Sequence, residues 1–207
     1  MNVVRVIIPD AGPINTLAAA RLLSLLIAPA QIRLTLIQSV VDEVLAQSAE
    51  LSKFMAAHAS RIDVIETSVC ADNRARRARG EILGKGRGDL AIADFLLNYI
   101  DDVTKNAPAL LITEDKRLLG RLSKQEAFTP NTHFITTAAY LRALENRGVI
   151  ASFSDIWRSI VDANANDNPV LHRSPNPAEI NIQSDPERAG TLSPGLNVSP
   201  TFAIVFS

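Results

Sequence analysis

The sequence predicts an α/β fold, a three-layer α/β/α sandwich around a central parallel sheet. Two observations point there. Short, nearly unbroken runs of Val, Ile and Leu, at residues 3–8 and 109–113, suit strands buried on both faces. Segments with helical apolar spacing lie between such runs, and strand–helix alternation pairs strands in parallel, with helices on both faces of the sheet.

The elements follow in order. Residues 3–8 form the first strand, Pro9 ends it, and Asp10 stands at its carboxyl end. Gly12 and Pro13 follow, and proline suits the first turn of a helix. One helix is expected over 14–27, carrying Leu17, Ala20, Leu23, Leu25 and Leu26 and stopped by Pro29. Residues 32–37 alternate as a second strand. Ser39 is expected to cap the helix that begins Val40-Val41-Asp42-Glu43-Val44-Leu45, with another helix over 48–58. A third strand is expected over 62–69, with Cys70 beginning a loop. Residues 72–82 read as a basic helix, broken by a hinge at Gly84, Gly86 and Gly88. A new helix runs from Asp89 through Ala93, Leu96, Leu97 and Ile100. The strand at 109–113 ends in Glu114-Asp115, a short basic helix covers 116–124, and Phe134-Ile135 starts the last strand. Helices over 138–146 and 153–161 close the domain.

Residues 1–161 therefore read as one domain. From residue 162 Asn, Pro, Ser and Gly dominate, and 162–207 is expected to be a largely disordered or partner-docked tail ending in the apolar stretch 201–206. With 47% hydrophobic and 21% charged residues, the chain can bury a core without disulfide support. The formal net charge of −1 gives no global nucleic-acid signature, so any such binding rests on local patches. Cys70 is the single cysteine, there is no signal-peptide pattern, and no apolar stretch is long enough to span a bilayer. The expectation is a cytoplasmic protein with no membrane association.

The candidate chemistry lies in carboxylates. Asp10 and Asp115 end buried strands, and that edge of an open α/β sheet is where ligands bind. Glu43 lies early in a helix, and Asp89 leads a helix whose apolar stripe continues through Ala93 and Leu96. Each acid alone is also an ordinary helix cap. Together, acids beside apolar surface are costly unless a cation shares them. Hard oxygen ligands without Cys or His suit Mg²⁺ or Mn²⁺, ions that serve phosphoryl transfer.

Four segments carry a family resemblance. They are Ile8-Pro9-Asp10-Ala11-Gly12-Pro13-Ile14, Val40-Val41-Asp42-Glu43-Val44-Leu45, Gly86-Arg87-Gly88-Asp89-Leu90-Ala91-Ile92-Ala93 and Leu111-Ile112-Thr113-Glu114-Asp115. In order and context they resemble the PIN-domain nucleases, the fold of many bacterial toxin ribonucleases, over roughly residues 3–161. The resemblance implies Asp10, Glu43, Asp89 and Asp115 as catalytic Mg²⁺ or Mn²⁺ ligands or water-positioning groups, with Thr113 in support; Glu114, flanking Asp115, is read as a further supporting group. It also implies RNA as substrate, an antitoxin protein as partner, and a homodimer. Three positions depart from the pattern or stand beside it. Gly12 occupies a place that is often small and polar, with Asn15 as a substitute; Asp89 is one methylene shorter than the frequent Glu; Asp94 reads as structural.

Arg74, Arg76, Arg77, Arg79, Lys85 and Arg87 precede Asp89, and Lys116, Arg117, Arg121 and Lys124 follow Asp115. Such flanks can grip phosphates without reading sequence, and they can equally be solvated helix faces. His58, His133 and His172 are isolated, and no phosphate-binding glycine motif follows the first strand. The expected activity is metal-dependent hydrolysis of RNA phosphodiesters by the toxin of a toxin–antitoxin pair. The alternatives are a PIN-like scaffold with a weak or inert site and a phosphatase; Gly12 stands where the haloacid-dehalogenase type needs a second Asp.

Overall fold

A strand flanked by strands and covered on both faces has no side left for polar residues, and all of Val6–Pro9 (β1) is buried. In the computed structural model, which describes residues 4–84, 86–105, 107–124 and 132–164, β1 lies at the centre of a five-stranded parallel sheet. The other strands are β2 (Arg33–Ile37), β3 (Ile62–Ile65), β4 (Ala109–Ile112) and β5 (Thr132–Ile135). Their order is β3-β2-β1-β4-β5. Helices α1 (Ala11–Ala19), α2 (Gln38–Leu45), α3 (Glu50–Ala57), α4 (Ser68–Ala78), α5 (Arg87–Asn98), α6 (Ile100–Thr104), α7 (Lys116–Lys124), α8 (Thr137–Asn146) and α9 (Phe153–Asn164) complete a three-layer α/β/α fold. Among the described residues no helix is long and apolar enough to cross a membrane.

The strand order positions the site. The chain winds outward through β1, β2 and β3, returns by α4–α6 to β4 beside β1, and winds outward again to β5. Connections leaving β1 and β4 diverge, which opens a crevice at the carboxyl edge between them. The two strands pair from Val6–Ala109 to Pro9–Ile112, and the Asp10 amide extends the ladder to the Ile112 carbonyl at 2.9 Å. Pro9 belongs to the strand it was expected to end. Its nitrogen turns the opposite way from that of Asp10, toward β2, whose pairing with β1 stops at Ile7. No ladder bond is lost.

Several expected boundaries shift for local reasons. The single helix over 14–27 is two pieces: α1 begins at Ala11, and a 3-10 helix covers Leu23–Ile27. Between them Arg21 adopts φ 58°. The Arg21 amide bonds to Ala18 O and the Leu22 amide to Leu17 O, a Schellman stop with arginine in glycine's usual place. Ser39 is not a cap: Ile37 holds that position, and the Ser39 hydroxyl is buried inside α2. β3 ends at Ile65, and the following residues turn into α4, which places Cys70 in a helix rather than a loop. Tyr99 separates α5 from α6, so Ile100 starts a second helix. α9 continues through Asn164, three residues past the expected boundary. The tail from 165 to 207, with His172 and the apolar stretch 201–206, lies outside the described residues.

Candidate active site

Asp10 leaves β1 as the N-cap of α1. Its Oδ1 accepts the Ala11 amide at 2.7 Å, and its Oδ2 accepts the Thr113 hydroxyl at 3.0 Å. The residue is only 9% exposed. Burial pushes its pKa from 3.8 up to about 6, opposed by these two bonds and reinforced by the charges of Asp89 and Glu114. The capping role and the crevice role coincide in one side chain.

The end of β4 supplies the facing wall. Thr113 Oγ1, while donating to Asp10, accepts the Asp115 amide at 3.0 Å. Asp115 Oδ1 caps α7 by accepting the amides of Arg117 at 2.6 Å and Leu118 at 3.4 Å. Glu114 turns to the next helix, where its Oε1 accepts the Thr137 amide at 2.7 Å at the start of α8. Loss of hydration raises the Glu114 pKa, and hydrogen bonding from Thr137 opposes the rise. The residue keeps an exposed surface along the crevice, so that loss is partial.

Asp89 stands in the first turn of α5, and α2 brings Glu43 alongside. Asp89 is half-buried; loss of hydration and the charge of Asp115 raise its pKa, and Arg121 lowers it. Glu43 is exposed, and a Cβ on Gly88 would meet its Oε2 at 3.1 Å. Gly88 thus lets α2 and α5 bring both acids to one side. Gly86 adopts φ 77° as the N-cap of α5, a left-handed conformation that explains the glycine there. Asp10, Ala11, Gly12, Glu43, Asp89, Glu114, Asp115 and Arg117 line one open crevice of about 470 Å³.

The basic residues divide. Arg74 pairs with Glu66, Arg76 and Arg79 each reach Glu81 at 2.8 Å, and Arg77 reaches Asp42 at 2.8 Å. Arg87 pairs with Asp72 and donates to Asn73 Oδ1. These arginines are held by local acids away from the crevice lining, whereas Arg117 lines it. Lys85 and the Lys116 side chain lie outside the described residues. Arg121, four residues after Arg117, points its Nη1 at Asp89 Oδ2 at 3.7 Å.

Other expectations settle structurally. Asn15 donates to Gln47 at 3.4 Å and does not line the crevice. Asp94 accepts from Ser68 Oγ and the Val69 amide, fixing the start of α4 to α5. A hydrogen-bonded chain with no local sequence signature links the helices beside the crevice acids Glu43 and Asp89. Arg87 donates to Asn73, Asn73 Nδ2 donates to Ser39 Oγ at 3.0 Å, and Ser39 donates to Cys70 Sγ at 3.1 Å. It holds α2, α4 and α5 together, and its signal in the sequence was three unremarkable polar residues.

The donor set is all hard oxygen; the charges of Asp89 and Glu114 raise the Asp10 pKa and that of Asp115 raises the Asp89 pKa, the condition that a divalent cation relieves. The chemistry therefore fits Mg²⁺ or Mn²⁺. Among the described residues no three acids stand close enough together to form a ready-made cation cage. Compared with protein-family models, curated proteins and solved structures, the chain matches none.

Proposed function

We propose that the protein is a Mg²⁺- or Mn²⁺-dependent endoribonuclease with a PIN-like site. The observation that carries this reading is the convergence of Asp10, Glu43, Asp89, Glu114 and Asp115 on one crevice at the sheet's switch point. Asp10, Glu43, Asp89 and Asp115 would hold the cation, which when bound supplies positive charge at the phosphate and eases deprotonation of water. Thr113 and the Ala11 amide fix the Asp10 carboxylate, and the amides of Arg117 and Leu118 fix Asp115. Arg117 offers an exposed guanidinium for a substrate phosphate at the rim. The toxin role, the antitoxin, the homodimer and the choice of RNA rest on the resemblance alone.

A second reading has its own support. The arginines of α4 and its C-cap Arg79 are already paired with carboxylates, which leaves a thinner basic surface than the sequence suggests. A PIN-like binding protein that holds a cation without cutting fits that feature.

The test is cleavage of a mixed pool of structured and single-stranded RNA by the purified chain with Mn²⁺, with EDTA, and with Asp115→Asn. The nuclease reading expects cutting with Mn²⁺ that EDTA and the variant each abolish. Mn²⁺ binding without cutting favours the second reading, and full activity in Asp115→Asn overturns the site.

A further inference from the structure

We infer that Arg121 is a two-position guanidinium: it neutralises Asp89 while the crevice lacks a cation and passes to a substrate phosphate once a cation takes Asp89. The inference rests on the metal-dependent reading above. Its ground is the placement of Arg121. The side chain rises from the second turn of α7, and its Nη1 stands 3.7 Å from Asp89 Oδ2 and 3.5 Å from the Gly86 carbonyl oxygen.

These contacts are long for a fixed clamp. A guanidinium–carboxylate pair that settles as a fork has nitrogen–oxygen distances of about 2.7–2.9 Å. Arg33 and Asp63 show that geometry in this protein, at 2.8 and 2.6 Å. Arg121 is instead held loosely, and its side chain is 36% exposed against 19% for Asp89. Gly86 lies beside the pair: a Cβ there would stand 3.5 Å from Asp89 Oδ2 and 3.7 Å from Arg121 Nη2, ordinary contact distances. Among the described residues, Arg121 is the one side-chain cation in an ion pair with an acid of the crevice.

The destination is also in place. Arg117 and Arg121 stand four residues apart on α7, hence on one helix face, and Arg117 already lines the crevice. With a cation held at Asp89, Arg121 would lose that partner, and a substrate phosphate beside Arg117 would be the nearest new anion. Arg121 is thus a positioning residue with opposed effects on two ligands: it competes with the cation and it holds the phosphate. A merely structural arginine would move both affinities the same way when removed.

The test titrates the full chain with Mn²⁺ by calorimetry, then titrates the Mn²⁺-saturated protein with adenosine 5′-monophosphate. Arg121→Gln is compared with wild type, with Asp115→Asn, and with Arg33→Gln, which removes the same charge outside the crevice. The expected result is Mn²⁺ binding three- to tenfold tighter in Arg121→Gln, nucleotide binding at least threefold weaker, and both within twofold of wild type in Arg33→Gln. Mn²⁺ affinity that is unchanged or weaker in Arg121→Gln overturns the inference, and so does an equal gain in Arg33→Gln. Tighter Mn²⁺ binding with undiminished nucleotide affinity overturns the hand-over to phosphate. In each of these cases Asp115→Asn, by losing Mn²⁺ affinity, leaves the metal-dependent reading standing. A wild-type chain that binds no Mn²⁺ overturns both.

Discussion

The Thr113 hydroxyl donates to Asp10 Oδ2 at 3.0 Å while its oxygen accepts the Asp115 amide at 3.0 Å, so one side chain ties the ends of β1 and β4 together. Thr113 is 1% exposed. Thr113→Val keeps the shape and removes both. We expect a loss of about 1–3 kcal/mol in urea unfolding at pH 7, the usual cost of stranding buried polar groups. Thr113→Ser should recover most of it, and equal losses in the two variants would show that the methyl group matters rather than the hydroxyl.

Asp10 stores a conflict that pH exposes. Its pKa is raised from 3.8 to about 6, so between those values the folded state binds more protons than the unfolded state. Stability from this group is therefore greatest at low pH and falls as pH rises through about 6. At roughly 1.4 kcal/mol per unit, the penalty above that window is about 3 kcal/mol. Asp10→Asn should melt higher than wild type at pH 8 without metal, with the gap closing near pH 4. Adding Mn²⁺ at pH 8 should raise the melting temperature of wild type and leave the variant nearly unmoved. A variant that melts lower than wild type at pH 8 contradicts this account.

Two glycines should respond differently to alanine. At Gly120, within α7, a Cβ would meet nothing within 4 Å, and the change should stabilise the fold by about 0.5–1 kcal/mol through backbone entropy. At Gly88 the same change places a methyl 3.1 Å from Glu43 Oε2. Glu43 is the flexible end of an exposed side chain, so it yields, and the melting temperature should not fall. Calorimetry should nevertheless show weaker Mn²⁺ binding in Gly88→Ala and unchanged binding in Gly120→Ala.

Asn73 is 2% exposed, accepts from Arg87 and donates to Ser39. Asn73→Ala strands a guanidinium N–H behind the start of α5, and the expected cost in chemical unfolding is about 1–3 kcal/mol. Because Arg87 opens the helix that carries Asp89, amide exchange should quicken across the first turn of α5 while β1 and β4 stay protected. Uniform quickening throughout the sheet would instead mark global destabilisation.

Much of this arrangement was legible residue by residue. The apolar runs that became β1 and β4 and the acids at their ends follow rules that act within a few residues. The stop at Arg21 was not legible, because the left-handed residue that ends α1 is not glycine and the apolar pattern continues past it. Ser39 resembled a cap for the opposite reason: its type matched the local rule, but its hydroxyl bonds to Cys70 in a different helix.

The strand–helix order, the parallel sheet and the placing of acids where chain segments leave that sheet all follow from the residues in chain order, since local sterics and burial periodicity decide these. Which polar groups meet depends on the folded arrangement. Arg77 finds Asp42 at a separation of 35 residues, and Thr113 reaches Asp10 across 103. Arg121 lies against Asp89 because α7 and α5 both begin at the crevice. A charge has no preferred partner along the chain; its energy depends on distance and hydration, and the fold sets both.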